Sequence, residues 1–234
     1  MDKPVDLQKS HKYTLCQFGW LATCSAKFQK DLLRAGEFKT LLPGDALYSE
    51  GKVSNYVYAL IDGQIDVHLT APNNETLVYP FSAPGRWYGL ADVIAQLPAF
   101  GTAVAGTESQ TARFSRKQML TFLTAEPSRY QAIIAHEYML RRHIQETVTD
   151  LVTSDGLELV ARRLLRMMAF EGTDPAVPLT ISQFDFAIAV GVSVPTVQRA
   201  FRELKKYGAI ETSYGKVTVR DVERLKDFVL SFAD

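Results

Sequence analysis

Side chains suited to holding nucleic acid are concentrated near the end of this 234-residue chain. Residues 196–220 carry six basic side chains against two acidic ones, whereas the whole chain balances 26 Lys and Arg with 26 Asp and Glu. Guanidinium and ammonium groups bind backbone phosphates, and an Arg can donate two parallel hydrogen bonds to a guanine. A net charge of zero does not exclude such a partner, because only the contacting surface must be basic.

Two helices joined by a tight turn are predicted to position these side chains. Residues 183–200 read as a helix that ends near Gly191 and a second helix that Ser193 caps after a three-residue turn. Helices joined so closely cross at a steep angle, which requires a small residue, here Ala187, and a turn residue, here Gly191. The residues expected to pack between the helices are all apolar: Phe186, Val190, Val192, Val197 and Ala200.

The second helix has an inward and an outward face. Its inward side chains are predicted to be Val197, Ala200, Phe201 and Leu204, and its outward ones Thr196, Gln198, Arg199 and Arg202. Gly208 ends the helix, and residues 210–212 and 217–219 are predicted to be strands of a hairpin that turns at Tyr214 and Gly215. This combination predicts a winged helix-turn-helix that binds double-stranded DNA. The alternative is a helical packing domain whose Arg and Lys only solvate its surface.

The candidate DNA-binding residues lie on the outward face, at the two helix caps and at the hairpin tip. They are Ser182, Gln183, Ser193, Thr196, Gln198, Arg199, Arg202 and Lys216. We expect Arg199 to read a base, and Ser182 and Lys216 to hold phosphate.

The region from Leu41 to Phe114 has the punctuation of an antiparallel β structure. Turn signals such as Asp62-Gly63 and Pro84-Gly85 separate short runs of strand formers, and residues 65–70 alternate apolar and polar side chains. Many short strands at this spacing predict a sandwich, a barrel or a jelly roll.

Helical patterns follow the strands. Ser115 and Gln118 form the capping box of a short helix, and Glu126-Pro127 opens a long helix that runs to about Thr153. Its apolar stripe could be a coiled-coil seam or a face packed on the β domain. The polar residues 153–156 break it. We therefore expect an α+β chain with a β domain at 1–125, the long helix at 126–153 and the helix-turn-helix domain at 154–234.

The order of these parts resembles the Crp/Fnr family of bacterial transcription regulators. The resemblance runs from about Trp20 to Asp221 and rests on three β-domain segments and two C-terminal ones, which are Leu42-Pro43-Gly44-Asp45, Ile61-Asp62-Gly63, 84–89, 191–199 and 214–217. It implies a cyclic-nucleotide-binding-type β-roll of jelly-roll type, a dimerisation helix and a winged helix-turn-helix. It also implies a homodimer on a palindromic operator and a contact with RNA polymerase. Val194 stands where the family commonly has an Arg, so a different operator is expected.

The family's cAMP pocket is incomplete in this sequence. A Gly-Glu pair that holds the ribose reads Gly89-Leu90 here, and no Arg for the phosphate occurs in residues 99–103. Because a buried phosphate needs a cation or several donors, cAMP is not expected to be the ligand. The candidate effector pocket suits an apolar or gaseous effector, or none, and it comprises Trp87, Tyr88, Gly89, Leu90, Gly101, Thr102, Ile144 and Gln145, with Phe100 nearby.

Other kinds of protein fit the sequence less well. Cys16 and Cys24 are too few for a four-thiolate iron–sulfur cluster in one chain, and the four histidines are isolated, so no metal site is expected. No catalytic motif occurs, so we do not expect an enzyme. A regulatory module acting on a protein partner and a haem- or redox-sensing regulator remain as alternatives. The polar N-terminus and the absence of long apolar runs predict a cytoplasmic protein with no membrane partner.

Overall fold

The computed structural model describes residues 7–72, 74, 76–81, 84–154, 156–171, 179–213 and 215–232. The chain divides into two compact units, Met1–Tyr138 and Met139–Asp234. In the described residues no helix is long and apolar enough to cross a bilayer.

The first unit begins with three helices that the sequence analysis did not anticipate. They are α1 (Leu7–Gln17), α2 (Gly19–Ala22) and α3 (Ala26–Ala35). The third has a local cause, because the Ser25 hydroxyl accepts a hydrogen bond from the Phe28 backbone N–H at 3.3 Å and so caps the helix. Phe28 and Leu32, one turn apart, are both buried.

In the described part of this unit, eight strands follow and form two antiparallel sheets. Their bounds are β1 (Glu37–Leu41), β2 (Ala46–Tyr48), β3 (Tyr56–Asp62), β4 (Ile65–Thr70), β5 (Thr76–Phe81), β6 (Trp87–Tyr88), β7 (Thr102–Ala105) and β8 (Ser109–Ser115). One sheet has the order β1-β8-β3-β6, and the other has the order β2-β7-β4-β5. The predicted antiparallel β domain is therefore confirmed.

Strand β3 is buried on both faces, unlike a strand with one wet side. Val57, Ala59 and Ile61 pack with the helices, whereas Tyr58 and Leu60 pack between the two sheets. Successive side chains of a strand point to opposite faces, so this one strand contributes to both cores.

Three more helices follow: α4 (Leu90–Ala95), α5 (Arg116–Ala125) and α6 (Arg129–Thr153). Helices α4 and α5 belong to the first unit, whereas α6 begins in the first unit and ends in the second. The capping box of Ser115 and Gln118 is present as predicted. Helix α6 begins at Arg129 rather than at Pro127, because the Tyr130 and Gln131 amides bond the Pro127 and Ser128 carbonyls three residues back and form a tighter turn. It ends at Thr153, as expected.

The second unit holds the end of α6 and the C-terminal elements. These are α7 (Gly156–Glu171), β9 (Leu179–Thr180), α8 (Gln183–Val190), α9 (Val194–Lys206), β10 (Ile210–Ser213), β11 (Lys216–Val219) and α10 (Val222–Leu230). The predicted hairpin is β10 and β11, and β9 adds a third strand on the β11 side. A single core of apolar side chains from these elements lies beneath them.

Candidate nucleic-acid interface

The turn between α8 and α9 is fixed by its backbone. Gly191 has φ +77°, its amide bonds the Ile188 carbonyl at 3.1 Å, and the Val192 amide bonds the Ala187 carbonyl at 3.0 Å. These two bonds close the end of a helix that stops on a left-handed residue, a conformation that glycine adopts without strain. The second helix can therefore start three residues later.

The start of α9 is capped by its own side chains. The Ser193 hydroxyl accepts a hydrogen bond from the Thr196 backbone N–H at 3.3 Å, and Pro195 occupies the first turn, where an amide donor is not needed. The Ser193 cap was predicted from the sequence. The Ser193 carbonyl also accepts hydrogen bonds from the Thr196 and Val197 amides, at 3.0 and 3.1 Å, which closes the first turn of α9.

The inward face of α9 is confirmed residue by residue. Val197, Ala200, Phe201 and Leu204 are all buried, and the Phe201 ring lies 5.3 Å from the ring of Phe186 on α8. Ala187 is also buried, so it supplies the small residue at the crossing.

The outward face of α9 is exposed and basic. Ser193, Gln198, Arg199 and Arg202 are exposed, and Thr196 is half-buried beside the helix cap. Gln183 is exposed at the first turn of α8, and Ser182, just before it, is half-buried. The structure thus brings seven of the eight candidate residues to the helix-turn-helix.

The eighth candidate, Lys216, lies on the hairpin. It begins β11, is exposed and pairs across the hairpin with Ser213. Farther along, Arg220 donates a hydrogen bond to Glu211 at 2.7 Å, which raises the pKa of Arg220 and lowers that of Glu211.

The two acidic residues within the basic segment 196–220 form ion pairs with basic residues of the same segment. Glu211 pairs with Arg220, and Glu203 accepts a hydrogen bond from Lys206 at 2.9 Å. Because each acidic residue has its own basic partner, the local excess of positive charge is carried by Arg199, Arg202, Lys205 and Lys216, all exposed.

The residues of the candidate effector pocket have several different surroundings. Trp87 packs in the core between the helices and strand β3, which we call the helix-side core, and its ring stacks on that of Phe114 at 5.3 Å. Leu90 belongs to the same core. Tyr88 points to the opposite face and packs between the sheets with Ala103. Phe100 is 84% exposed.

The glycines of that pocket differ in the space around them. A Cβ on Gly101 would lie 2.6 Å from Leu69 and 2.8 Å from the His68 carbonyl, so a larger residue there would require the strand to shift. Its neighbour Thr102 accepts a hydrogen bond from the Glu50 amide at 3.0 Å. Gly89, with φ +72°, lies beside the Tyr48 ring in ordinary contact distance.

Ile144 and Gln145 belong to the second unit and lie on the exposed side of α6, where Ile144 is 62% exposed. The effector pocket as a whole stays a prediction.

Both cysteines are free and half-buried. Burial raises the pKa of Cys16, and it raises the pKa of Cys24 to about 11, while the Cys24 thiol contacts the Trp20 carbonyl at 3.7 Å. A raised pKa disfavours the thiolate that binds metal or reacts with oxidants. Within the described parts of the chain, no group of three or more His, Cys, Asp and Glu side chains is arranged to hold a metal ion.

One set of contacts was missed by the sequence analysis. Arg166 on α7 pairs with Asp150 and Glu146 on α6, and these pairings connect positions 16 and 20 residues apart. The spacing of residues within one helix does not predict a contact between two helices. Only the Arg142–Glu146 pair, at helical i,i+4 spacing, was available as a signal.

Known protein families match both halves of the chain. A Crp-like helix-turn-helix domain matches residues 159–228, and a cyclic nucleotide-binding domain matches residues 38–126. The nitrogen fixation regulation protein FixK of Bradyrhizobium diazoefficiens is 24% identical over 189 residues, which are 78% of this chain and 78% of FixK. A CRP-like cAMP-activated global transcriptional regulator of Mycobacterium tuberculosis is 23% identical over 186 residues, 78% of this chain and 83% of that protein.

The fold also matches solved structures. FixK2 from Bradyrhizobium japonicum superposes with a TM-score of 0.69 at 18% identity, and the match covers 82% of this chain and 96% of FixK2.

Proposed function

Because this chain belongs to the Crp/Fnr family of transcription regulators, we propose that it acts as a homodimer that binds a palindromic operator in double-stranded DNA and does not use cAMP as its effector. It would act in the cytoplasm, where a contact with RNA polymerase would couple binding to transcription.

The observation that carries this proposal is a basic ridge along α9. Arg199 and Arg202 lie about one turn apart, are exposed and lie opposite the buried face. The exposed Lys206, which pairs with Glu203, continues the same line. A major groove admits one helix, and a helix that presents such a ridge meets both base edges and phosphates.

Different residues around the ridge are suited to reading bases and to holding phosphates. Arg199 can donate two bonds to guanine, and Gln198 can bond the adenine edge. Ser193 and Thr196 at the N-terminus of α9, Ser182 and Gln183 at that of α8, and Lys216 on the hairpin are suited to phosphates.

Exposed apolar side chains on α6 support a homodimer. Ile144, Val148, Leu151 and Val152 are 62%, 53%, 49% and 80% exposed, and they recur at helical spacing along one side. Apolar surface of this kind favours a second copy of the same helix, and a two-fold axis would present two recognition helices to two half-sites.

The β domain supports an effector other than cAMP. Leu90 is buried in the helix-side core and offers no carboxylate to a ribose, and the space at Gly101 is too small for an Arg in the present backbone. Tyr58, Tyr88 and Leu60 fill the region between the sheets. An apolar or gaseous effector, or none, is consistent with these residues.

Binding of the full-length protein to duplex DNA at increasing salt tests the proposal. A steep loss of affinity with salt is expected, because each phosphate contact releases counterions. A regulatory module that acts only on a protein partner would show no such binding.

A further inference from the structure

The end of α6 is joined to α7 by a compact set of charges. Arg166 of α7 donates hydrogen bonds to both carboxylate oxygens of Asp150, one of them at 2.9 Å, and its third nitrogen donates to Glu146 at 2.6 Å. The Asp150 side chain is only 5% exposed. Hydrogen bonding to Asp150 and the charges of both carboxylates raise the pKa of Arg166.

This geometry is more restrictive than an ordinary surface ion pair. A guanidinium that bonds both oxygens of a carboxylate fixes the orientation of the two groups as well as their distance. Since Asp150 is buried, rotation of α7 away from α6 would leave its charge without a partner, which is strongly unfavourable.

Neighbouring contacts extend along the same face of the two helices. One turn earlier in each helix, Arg163 donates a hydrogen bond to the Thr147 hydroxyl at 2.5 Å. Arg142 donates to Glu146 at 2.8 Å, so the second acceptor of Arg166 is itself held in place.

The end of α6 also lies near the helix-turn-helix. A Cβ on Gly191, in the turn between α8 and α9, would lie 3.8 Å from the Leu151 side chain. A Cβ on Gly156, at the start of α7, would lie 3.6 Å from the Arg199 guanidinium. The α6–α7 joint is therefore adjacent to the residues proposed to read DNA.

We propose that Arg166 and Asp150 are a positioning pair that sets the angle between α6 and the winged helix, and thereby the separation of the two recognition helices in the dimer. This inference rests on the proposed function, because only a dimer on DNA has two recognition helices to space. Neither Arg166 nor Asp150 is among the residues proposed to bind DNA, so the pair is expected to act on operator geometry and not on base choice.

The spacing between half-sites reports that angle. Inserting one base pair rotates one half-site by roughly 34° relative to the other, since a helical turn contains about 10.5 base pairs. A protein with a fixed joint tolerates one spacing. A protein whose α6–α7 joint is flexible can also bind half-sites at neighbouring spacings with little loss of affinity.

The experiment measures affinity for a series of palindromic duplexes whose central spacer is changed by one or two base pairs in either direction. The natural protein is expected to lose about tenfold or more in affinity at each added or removed base pair. Arg166→Gln is expected to weaken binding at the best spacing and to reduce the loss at neighbouring spacings to less than about threefold. Preference for the half-site sequence should remain.

Arg162→Gln is the matched control. Arg162 pairs with Glu158 at 2.6 Å inside α7, so its removal breaks an ion pair that does not cross the joint, and the spacing preference should stay. If Arg166→Gln does not fold, the double variant Asp150→Asn with Arg166→Gln leaves no unpaired buried charge and is measured in its place.

A variant with the natural spacing preference would overturn the inference while leaving the proposed function intact. If instead the natural protein binds no duplex at any spacing, the proposed function itself fails, and the two outcomes are therefore distinguishable.

Discussion

The hydroxyl oxygen of Thr196 lies 2.9 Å from that of Ser193, at the first turn of α9. The Ser193 hydroxyl oxygen also accepts a hydrogen bond from the Thr196 amide, so Ser193 contacts both the backbone and the side chain of Thr196 at the helix start. Ser193 is exposed at this helix N-terminus, a position that favours phosphate. Base reading is therefore assigned to the next turn, where Gln198 and Arg199 are exposed.

Replacing Arg199 by Ala should relax the preference for one base pair in each half-site. A bidentate Arg–guanine contact is worth about 1–3 kcal/mol of discrimination at that pair, and the rest of the site should still be read. The sequence motif selected by the variant protein measures this effect. An unchanged motif would mean that Arg199 only solvates the helix.

Lys216→Ala provides the contrasting change. Because the exposed ammonium on the hairpin is suited to phosphate, all sequences should be bound more weakly and to the same degree. The slope of affinity against salt should become shallower by about one. Loss of preference at a single base pair would contradict the phosphate assignment.

Two acidic substitutions on α6 should separate the subunits. Ile144→Asp combined with Val148→Asp would place four carboxylates in the proposed seam of a dimer, where burying unpaired charge is costly. Light scattering should show monomers that bind DNA poorly. Thr149→Asp, an exposed neighbour on another side of α6, is the control and should remain dimeric. A dimer that survives the double change would place the interface elsewhere.

Cyclic nucleotides should not bind tightly. Calorimetry with cAMP or cGMP is expected to show no dissociation constant below about a millimolar, because Leu90 and Gly101 supply neither carboxylate nor guanidinium. Thermal unfolding provides a second readout, since a ligand that binds only the folded state raises the midpoint. Micromolar affinity for either nucleotide would contradict this interpretation of the pocket.

Cys24 should react slowly with alkylating reagents. Burial raises its pKa to about 11, so at pH 8 the thiolate fraction is roughly 100-fold lower than in an exposed cysteine. The rate should increase about tenfold per pH unit up to the pKa. Mass spectrometry compares the labelling rate of Cys24 in native and in urea-unfolded protein. Equally fast labelling of both would contradict this prediction and favour a redox-sensing role.

The helix-turn-helix was predictable because its signals are local. Ser193, Pro195 and Gly191 act on their own turns, and the four buried positions of α9 follow from helical spacing alone. The antiparallel β domain was likewise indicated by turn residues between short apolar runs.

Other parts depend on contacts that sequence spacing does not contain. Strand β9 is two residues long and exists through its pairing with β11, more than 30 residues later. The burial of β3 on both faces arises because helices cover one side and a second sheet the other. The Arg166–Asp150 pair joins two different helices.

Selection of bound sequences from random duplex DNA shows whether the protein reads DNA as a dimer through α9. We expect enrichment of a palindrome whose half-sites are centred about one helical turn, roughly 10 base pairs, apart. Each half-site should contain a guanine that the Arg199→Ala protein no longer requires. Recovery of no common sequence, or of a single unrepeated site, would contradict a dimeric regulator that reads DNA through α9.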